Sequence, residues 1–136
     1  MLLYVITIAV IIGIGAMCLV FASDDEQTNI KFLESYGWEV DNEYTEKVTF
    51  EIPEVFDEVY NNYDELQKIS GLNLAKYKGR KAVRYTYIVL NFPQDTKGEN
   101  VFANVLCVAG EPVAGDVMTV RLDGFMYSLS YLKTGK

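Results

Sequence analysis

The chain has 136 residues, a net charge of -7 and no histidine. The excess of acidic residues argues against binding to nucleic acid, because contacts with phosphates need a basic surface. Without histidine the chain lacks the commonest general base and the imidazole ligands of most catalytic zinc sites. The composition therefore predicts no catalytic site, no metal site and no nucleic-acid partner.

The N-terminal segment is apolar, and every charged residue of the chain lies beyond Ser23. As a helix rising about 1.5 Å per residue, residues 2–22 would be about 30 Å long, which matches the hydrocarbon thickness of a bilayer. We therefore expect residues 1–22 to be a transmembrane anchor or a signal segment. The remaining residues, 23–136, suit a single domain with one core.

Two fates of this segment remain open. Ala22 followed by Ser23 fits the small-residue pattern of a signal-peptide cleavage site, and cleavage there would give a secreted protein. A long apolar stretch with no basic residue before it instead favours a retained, single-pass anchor. Because short N-terminal anchors usually export the domain attached to them, we expect this domain to lie outside the cytoplasm, at the cell membrane.

The first part of the domain predicts two helices and two strands. A short helix begins in the acidic segment after Ser23 and ends at Gly37, and Trp38–Val40 alternates like a half-buried strand. A second strand is predicted at Lys47–Ile52. From Glu54 to Ser70 apolar residues recur every three or four positions, which predicts the longest helix of the domain.

The second part predicts strands at Lys81–Asn91, Val101–Val108 and Val113–Leu122. The short connections between them require antiparallel pairing, so these strands form a small β-meander. Phe125–Leu132 adds a last short element or packs back on the core. The predicted fold class is α+β, with the two helices packed together on one face of the meander.

Neither cysteine motifs nor nucleotide loops indicate a cofactor. Cys107 lies between two apolar residues of a predicted strand, so we expect a buried free thiol without a reactive role. The glycines at Gly13 and Gly15 superficially resemble a dinucleotide loop, but they lie inside the apolar segment and follow no strand. No phosphate-binding Walker loop is present in the sequence.

The second half of the domain is basic, and its basic residues are concentrated in the segment Lys76–Tyr85. Residues 24–65 contain 14 acidic and 2 basic residues, whereas residues 66–136 contain 5 acidic and 10 basic residues. Such clustered bases beside tyrosines predict a site for an anionic ligand or a lipid headgroup, or else a solvated turn that complements the acidic helix. The candidate ligand-binding residues are Lys76, Lys78, Arg80, Lys81, Arg84 and Tyr85.

These features favour a membrane-anchored extracytoplasmic module that binds a partner or senses a ligand. Its expected partners are the lipid bilayer, through residues 2–22, and an envelope protein or an anionic ligand. The alternative is a small envelope hydrolase that uses paired carboxylates, such as Glu51 with Glu54 or Asp57 with Glu58. Loss of a detected activity on mutating Glu51 or Asp116 would favour this alternative. A protein secreted after cleavage at Ala22 is the third possibility.

Four segments together resemble one known family. They are FLESYGWEV at Phe32–Val40, IPEVFDEVYNNYDELQ at Ile52–Gln67, LAKYKGRKAVRYTYIVLN at Leu74–Asn91 and AGDVMTVRLDGFM at Ala114–Met126. The chain is similar to the short bacterial proteins, mostly from Gram-positive organisms, that contain the domain of unknown function DUF4830. The resemblance implies a hydrophobic N-terminal segment and an exported domain, and it implies no activity or site residues.

We predict that a cysteine introduced at Lys136 reacts with a membrane-impermeant maleimide in intact cells, because the domain lies outside the cytoplasm. The parent chain without this cysteine is the control, since Cys107 is expected to be buried. Labelling that occurs only after the cells are permeabilised would contradict the predicted orientation.

Overall fold

The computed structural model describes residues 26–121 and 123–136. Residues 26–34 form helix α1. The other helices are α2 (Glu58–Ile69) and α3 (Tyr131–Thr134), with a 3-10 helix at Leu74–Tyr77. The strands are β1 (Glu46–Glu51), β2 (Lys81–Ile88), β3 (Phe102–Val108), β4 (Glu111–Met118) and β5 (Met126–Tyr127). Within the described residues no helix has the length and hydropathy to cross a membrane, and the predicted anchor at residues 2–22 lies outside them.

The five strands form one antiparallel sheet in the order β1-β2-β3-β4-β5, which confirms the α+β class. The predicted meander corresponds to β2, β3 and β4, and the sheet is larger because β1 and β5 pair along its two sides. Ala109 and Gly110 have φ angles of 51° and 80° between β3 and β4. Positive φ at both residues allows the tight two-residue turn that joins antiparallel strands.

Each face of the sheet packs against its own core, since successive side chains of a strand point to opposite sides. Tyr85 and Tyr87 contact a cluster that contains Leu33 of α1. Ala82 and Leu106 contact a cluster against which the α2 residues pack. We call these the α1 face and the α2 face. The prediction that both helices lie on one face is therefore wrong.

Two predicted boundaries also differ from the structure. Helix α2 begins at Glu58 rather than at Glu54, because the Asp57 side chain caps it by accepting the backbone N–H of Tyr60 at 2.9 Å. An N-cap residue has non-helical backbone angles, so the helix starts after it. The predicted strand at Trp38–Val40 is reduced to a single bridge between Val40 and Val89.

The two cores explain several single residues. Trp38 is fully buried on the α1 face, and its indole N–H donates to the Leu129 carbonyl at 2.8 Å. Cys107 is buried, as predicted. Its sulfur donates to Asn29 Oδ1 at 3.1 Å, which ties α1 to β3.

We predict that Gly115→Ala lowers the free energy of unfolding by about 3 kcal/mol, because there is no space for a side chain between the strands. A Cβ atom at this position would lie 2.4 Å from the Asn104 carbonyl oxygen and 2.9 Å from Leu129 Cδ1. Denaturant unfolding followed by the fluorescence of Trp38, the single tryptophan, measures the change.

Gly110→Ala is the matched control for this prediction. A Cβ at Gly110 meets nothing within 4 Å, so the substitution is resisted only by the left-handed backbone, with φ of 80°. That strain costs about 1 kcal/mol. An equal or smaller loss of stability for Gly115→Ala would contradict the steric explanation.

Candidate ligand-binding cleft

A cleft of about 690 Å³ lies between helix α2 and the α2 face of the sheet. Its size is usual for a small-molecule site, which typically measures about 300–1,000 Å³. The walls are mainly apolar. The helix contributes Val59, Tyr60, Tyr63 and Leu66, and the sheet contributes Phe50, Leu106, Met118 and Met126.

Three polar side chains lie next to one another across β2, β3 and β4. The strand registers place Thr86 opposite Asn104 and Asn104 opposite Asp116. Thr86 Oγ1 donates to Asn104 Oδ1 at 2.6 Å, and Asn104 Nδ2 donates to Asp116 Oδ1 at 3.0 Å. The Tyr63 hydroxyl of α2 donates to the other oxygen, Asp116 Oδ2. The Asp116 carboxylate therefore accepts from two neutral donors at the floor of the cleft.

The Asp116 carboxylate is only 2% exposed to solvent. Burial raises its pKa from 3.8 to about 6, and the hydrogen bonds from Tyr63 and Asn104 and the charge of Arg84 oppose this shift only in part. Burial also raises the pKa of Tyr63 well above 10.0, and the neighbouring carboxylate raises it further. Tyr63 thus remains a neutral donor, while Asp116 gains or loses its proton near pH 6.

Arg84 is the one cation that lines the cleft within the described part of the chain. Its guanidinium forms an ion pair with Glu46, the residue one strand away on β1. The side chains of Arg84 and Glu46 are 32% and 54% exposed, so solvent screens this pair and its net contribution to stability is small. Arg84 therefore has one acidic partner at the edge of the cleft.

Helix α2 is positioned over the cleft by a second polar contact, one helical turn beyond Tyr63. Gln67 Oε1 accepts the backbone N–H of Gly115 at 2.8 Å. Gln67 is fully buried. Tyr63 contacts the Asp116 side chain of β4, and Gln67 contacts the Gly115 backbone of the same strand. Together the two contacts fix the distance between helix and sheet.

The mouth of the cleft is apolar and exposed. Val59 on α2 is 71% exposed, and Met126 on β5 is 47% exposed. Both side chains line the cleft, and they come from the helix layer and the sheet layer respectively. Exposed apolar side chains grouped around a concave site are typical of binding surfaces.

The predicted basic site is divided by the fold. Lys76, Lys78, Arg80 and Lys81 lie around the turn before β2, where Lys78 Nζ lies 4.6 Å from the centre of the Phe56 ring. Arg84 instead lines the cleft on the α2 face, and Tyr85 points to the α1 face. The alternation along β2 places Arg84 on the α2 face, whereas Lys81 and Tyr85 line a second cavity together. Binding of an anionic ligand by the predicted basic residues stays a prediction.

Glu51 and Asp116, whose mutation tests the hydrolase alternative, do not lie together. Asp116 is on the floor of the cleft, whereas Glu51 is exposed on β1, opposite Lys81, and does not line the cleft. Among the residues described, no three histidine, cysteine, aspartate or glutamate side chains are grouped as a metal site would require.

Sequence reasoning did not find the cleft. In the sequence Tyr63 belongs only to the apolar side of a helix, and no pattern singles out Asn104. The usable signal was the presence of Thr86, Asn104 and Asp116 inside three apolar strands, because buried polar side chains need hydrogen-bond partners. The register that aligns them depends on a β-bulge at Leu106/Cys107, which the sequence does not reveal.

The fold and the cleft define a small α+β module, in which an antiparallel sheet carries a helix on each face and a ligand-sized cleft under one of them. Residues 32–117 match the domain of unknown function DUF4830, and the chain belongs to this family. The match confirms the resemblance of the four sequence segments. Comparisons with curated proteins and with solved structures give no match.

We predict that Asp116 makes the protein less stable as the pH rises from 4 to 7. Its pKa is higher in the folded state, about 6, than its usual value of 3.8, so the folded state binds the proton more tightly. By linkage, this contribution to stability is present below pH 3.8 and is lost as the pH passes 6. The total loss is about 3 kcal/mol.

The measurement is the difference in free energy of unfolding between the wild type and Asp116→Asn across this pH range. The difference cancels the titration of other groups, and any constant effect of the substitution does not change its slope. We expect the wild type to lose stability relative to the variant as the pH rises. A flat difference would contradict the raised pKa.

Proposed function

We propose that this chain is a membrane-anchored, extracytoplasmic binding module whose cleft holds a small, mainly apolar ligand. The observation that carries the proposal is the cleft itself. It combines apolar walls with a few convergent polar groups, which is the usual composition of small-molecule sites. The polar groups are Asp116, Asn104 and Arg84, and they lie on three adjacent strands.

Binding accounts for the site better than catalysis does. Both oxygens of Asp116 accept from neutral donors, and neither acid pair of the hydrolase alternative, Glu51 with Glu54 or Asp57 with Glu58, lines the cleft. A two-carboxylate mechanism needs both groups beside the same substrate. The cleft instead offers a fixed acceptor at the end of an apolar passage.

The membrane part of the proposal is supported by the sequence. The apolar segment at residues 2–22 has the length of a membrane span, and the domain after it carries all the charged residues. An anchored module with an open, apolar-rimmed cleft would encounter small molecules in the envelope and hold them near the bilayer. A protein secreted after cleavage at Ala22 would use the same cleft without the anchor.

We predict that 2-phenylethanol binds in the cleft of the full chain, prepared in zwitterionic nanodiscs. The two methionines that line the cleft provide the signal. With ¹³C-labelled methionine methyl groups, the resonances of Met118 and Met126 should shift and saturate, because the phenyl ring contacts the apolar walls. Empty nanodiscs at the same alcohol concentration correct for partition of the probe into lipid.

Two matched substitutions on α2 test the location. Leu66→Trp fills the cleft and should weaken binding at least tenfold. Ile69→Trp places the same ring on an exposed position, 38% accessible, that does not line the cleft, and it should leave binding unchanged. Unshifted Met118 and Met126 resonances in the wild type would refute the ligand-binding proposal.

A further inference from the structure

We propose that the ligand of this cleft carries a protonated amine, which donates hydrogen bonds to the Asp116 carboxylate at the floor. This inference rests on the proposed function and names the chemistry of its ligand. An organic amine with a compact apolar body fits the two parts of the site. The apolar body contacts the methionine and aromatic walls, and the ammonium group reaches the carboxylate.

The direction of the hydrogen bonds makes Asp116 an acceptor for a further donor. The Thr86 hydroxyl donates to Asn104 Oδ1, so the Asn104 amide presents its NH₂ group to Asp116. Tyr63 donates to the second carboxylate oxygen. Every polar side chain that contacts Asp116 therefore donates to it. A ligand group that reaches the carboxylate must also be a donor.

The carboxylate has unused capacity. An ionised carboxylate offers about four acceptor positions on its two oxygens. Tyr63 and Asn104 occupy one position on each oxygen. An ammonium group has three N–H donors and no acceptor, so it can fill the remaining positions without meeting a competing lone pair.

The charges of the cleft also favour a cation. Asp116 forms no ion pair with any described residue, although its carboxylate is almost fully buried. A buried charge without a counter-ion is unfavourable, and a bound ammonium group would supply the missing positive charge. The cation that lines the cleft, Arg84, is already paired with Glu46. An anionic ligand would be repelled by the Asp116 carboxylate.

Three ligands of the same shape test the inference: 2-phenylethylamine, 2-phenylethanol and phenylacetate. Their affinities for the full chain in zwitterionic nanodiscs are obtained from the methyl shifts of Met118 and Met126 at pH 7.5. We expect the amine to bind at least tenfold more tightly than the alcohol, and the carboxylate to bind more weakly than the alcohol. Equal affinity of amine and alcohol, or tighter binding of the carboxylate, would overturn the inference.

Two substitutions that each remove one negative charge locate the interaction. Asp116→Asn should abolish the tenfold preference for the amine over the alcohol. Glu58→Gln is the matched control, because Glu58 is exposed on α2 and does not line the cleft, so the preference should persist. A preference that survives Asp116→Asn, or that disappears in Glu58→Gln, would show that the amine is held by the general charge of the surface.

The wild-type protein provides a test that needs no substitution. The amine remains protonated between pH 5 and 7.5, whereas Asp116, with a pKa of about 6, becomes mostly neutral at pH 5. The titratable groups that face it are Tyr63 from α2 and Arg84 from β2, the latter with its partner Glu46 on β1. We expect the affinity for the amine to fall about tenfold at pH 5 and that for the alcohol to stay constant. A constant affinity for the amine would overturn the inference even if Asp116→Asn failed to fold.

The same experiment separates the two proposals. If the alcohol shifts Met118 and Met126 but the amine has no advantage, the cleft binds ligands and only the choice of an amine is wrong. If none of the three molecules shifts these resonances, the ligand-binding function itself is refuted.

Discussion

Helix α2 is held against the sheet by two polar contacts in successive helical turns, and the geometry of the candidate site depends on them. Tyr63 reaches the Asp116 side chain, and Gln67 reaches the backbone of Gly115. Both partners are neighbours on β4, so the helix is fixed in rotation as well as in distance. Apolar packing alone is not directional and tolerates many arrangements.

These contacts explain why a cleft exists at all. Beyond Gln67 the chain packs closely, with Leu74 fully buried and Asp64 accepting the backbone N–H groups of Leu74 and Ala75. Toward the start of α2, the side chains of Tyr63 and Asp116 lie between the helix and the sheet, and their combined length separates the two. Small or flexible side chains cannot fill that space, and the apolar residues around it remain partly accessible.

The sequence predicted the elements better than it predicted their arrangement. The periodicity of Tyr60, Tyr63 and Leu66 is sufficient to predict α2, and the short connections after Asn91 and Val108 are sufficient to predict antiparallel strands. The start of α2 was missed because Pro53 and Asp57 both signal a helix start, and only the hydrogen bond of Asp57 to Tyr60 decides between them. Such a choice depends on local geometry that a residue pattern does not contain.

The placement of the helices and the polar network were beyond sequence reasoning for a related reason. Each helix has one apolar side. That side could pack on either face of the sheet, because the strands carry apolar residues on both faces. Tyr85 and Leu106 are buried on opposite faces, and both read simply as strand residues. Asp116 was noticed as an acid, but its role arises from Tyr63 and Asn104, which are 53 and 12 residues away in the chain.

Strand β3 lies between the two cores and contributes side chains to both of them. Asn104 belongs to the floor of the cleft, and its neighbours Ala103 and Val105 are fully buried on the side of α1. A strand cannot shift on one side and stay still on the other, because its backbone is common to both. A displacement of β3 by the contents of the cleft would therefore also displace the surface on which α1 packs, and α1 is the helix that follows the apolar segment in the sequence.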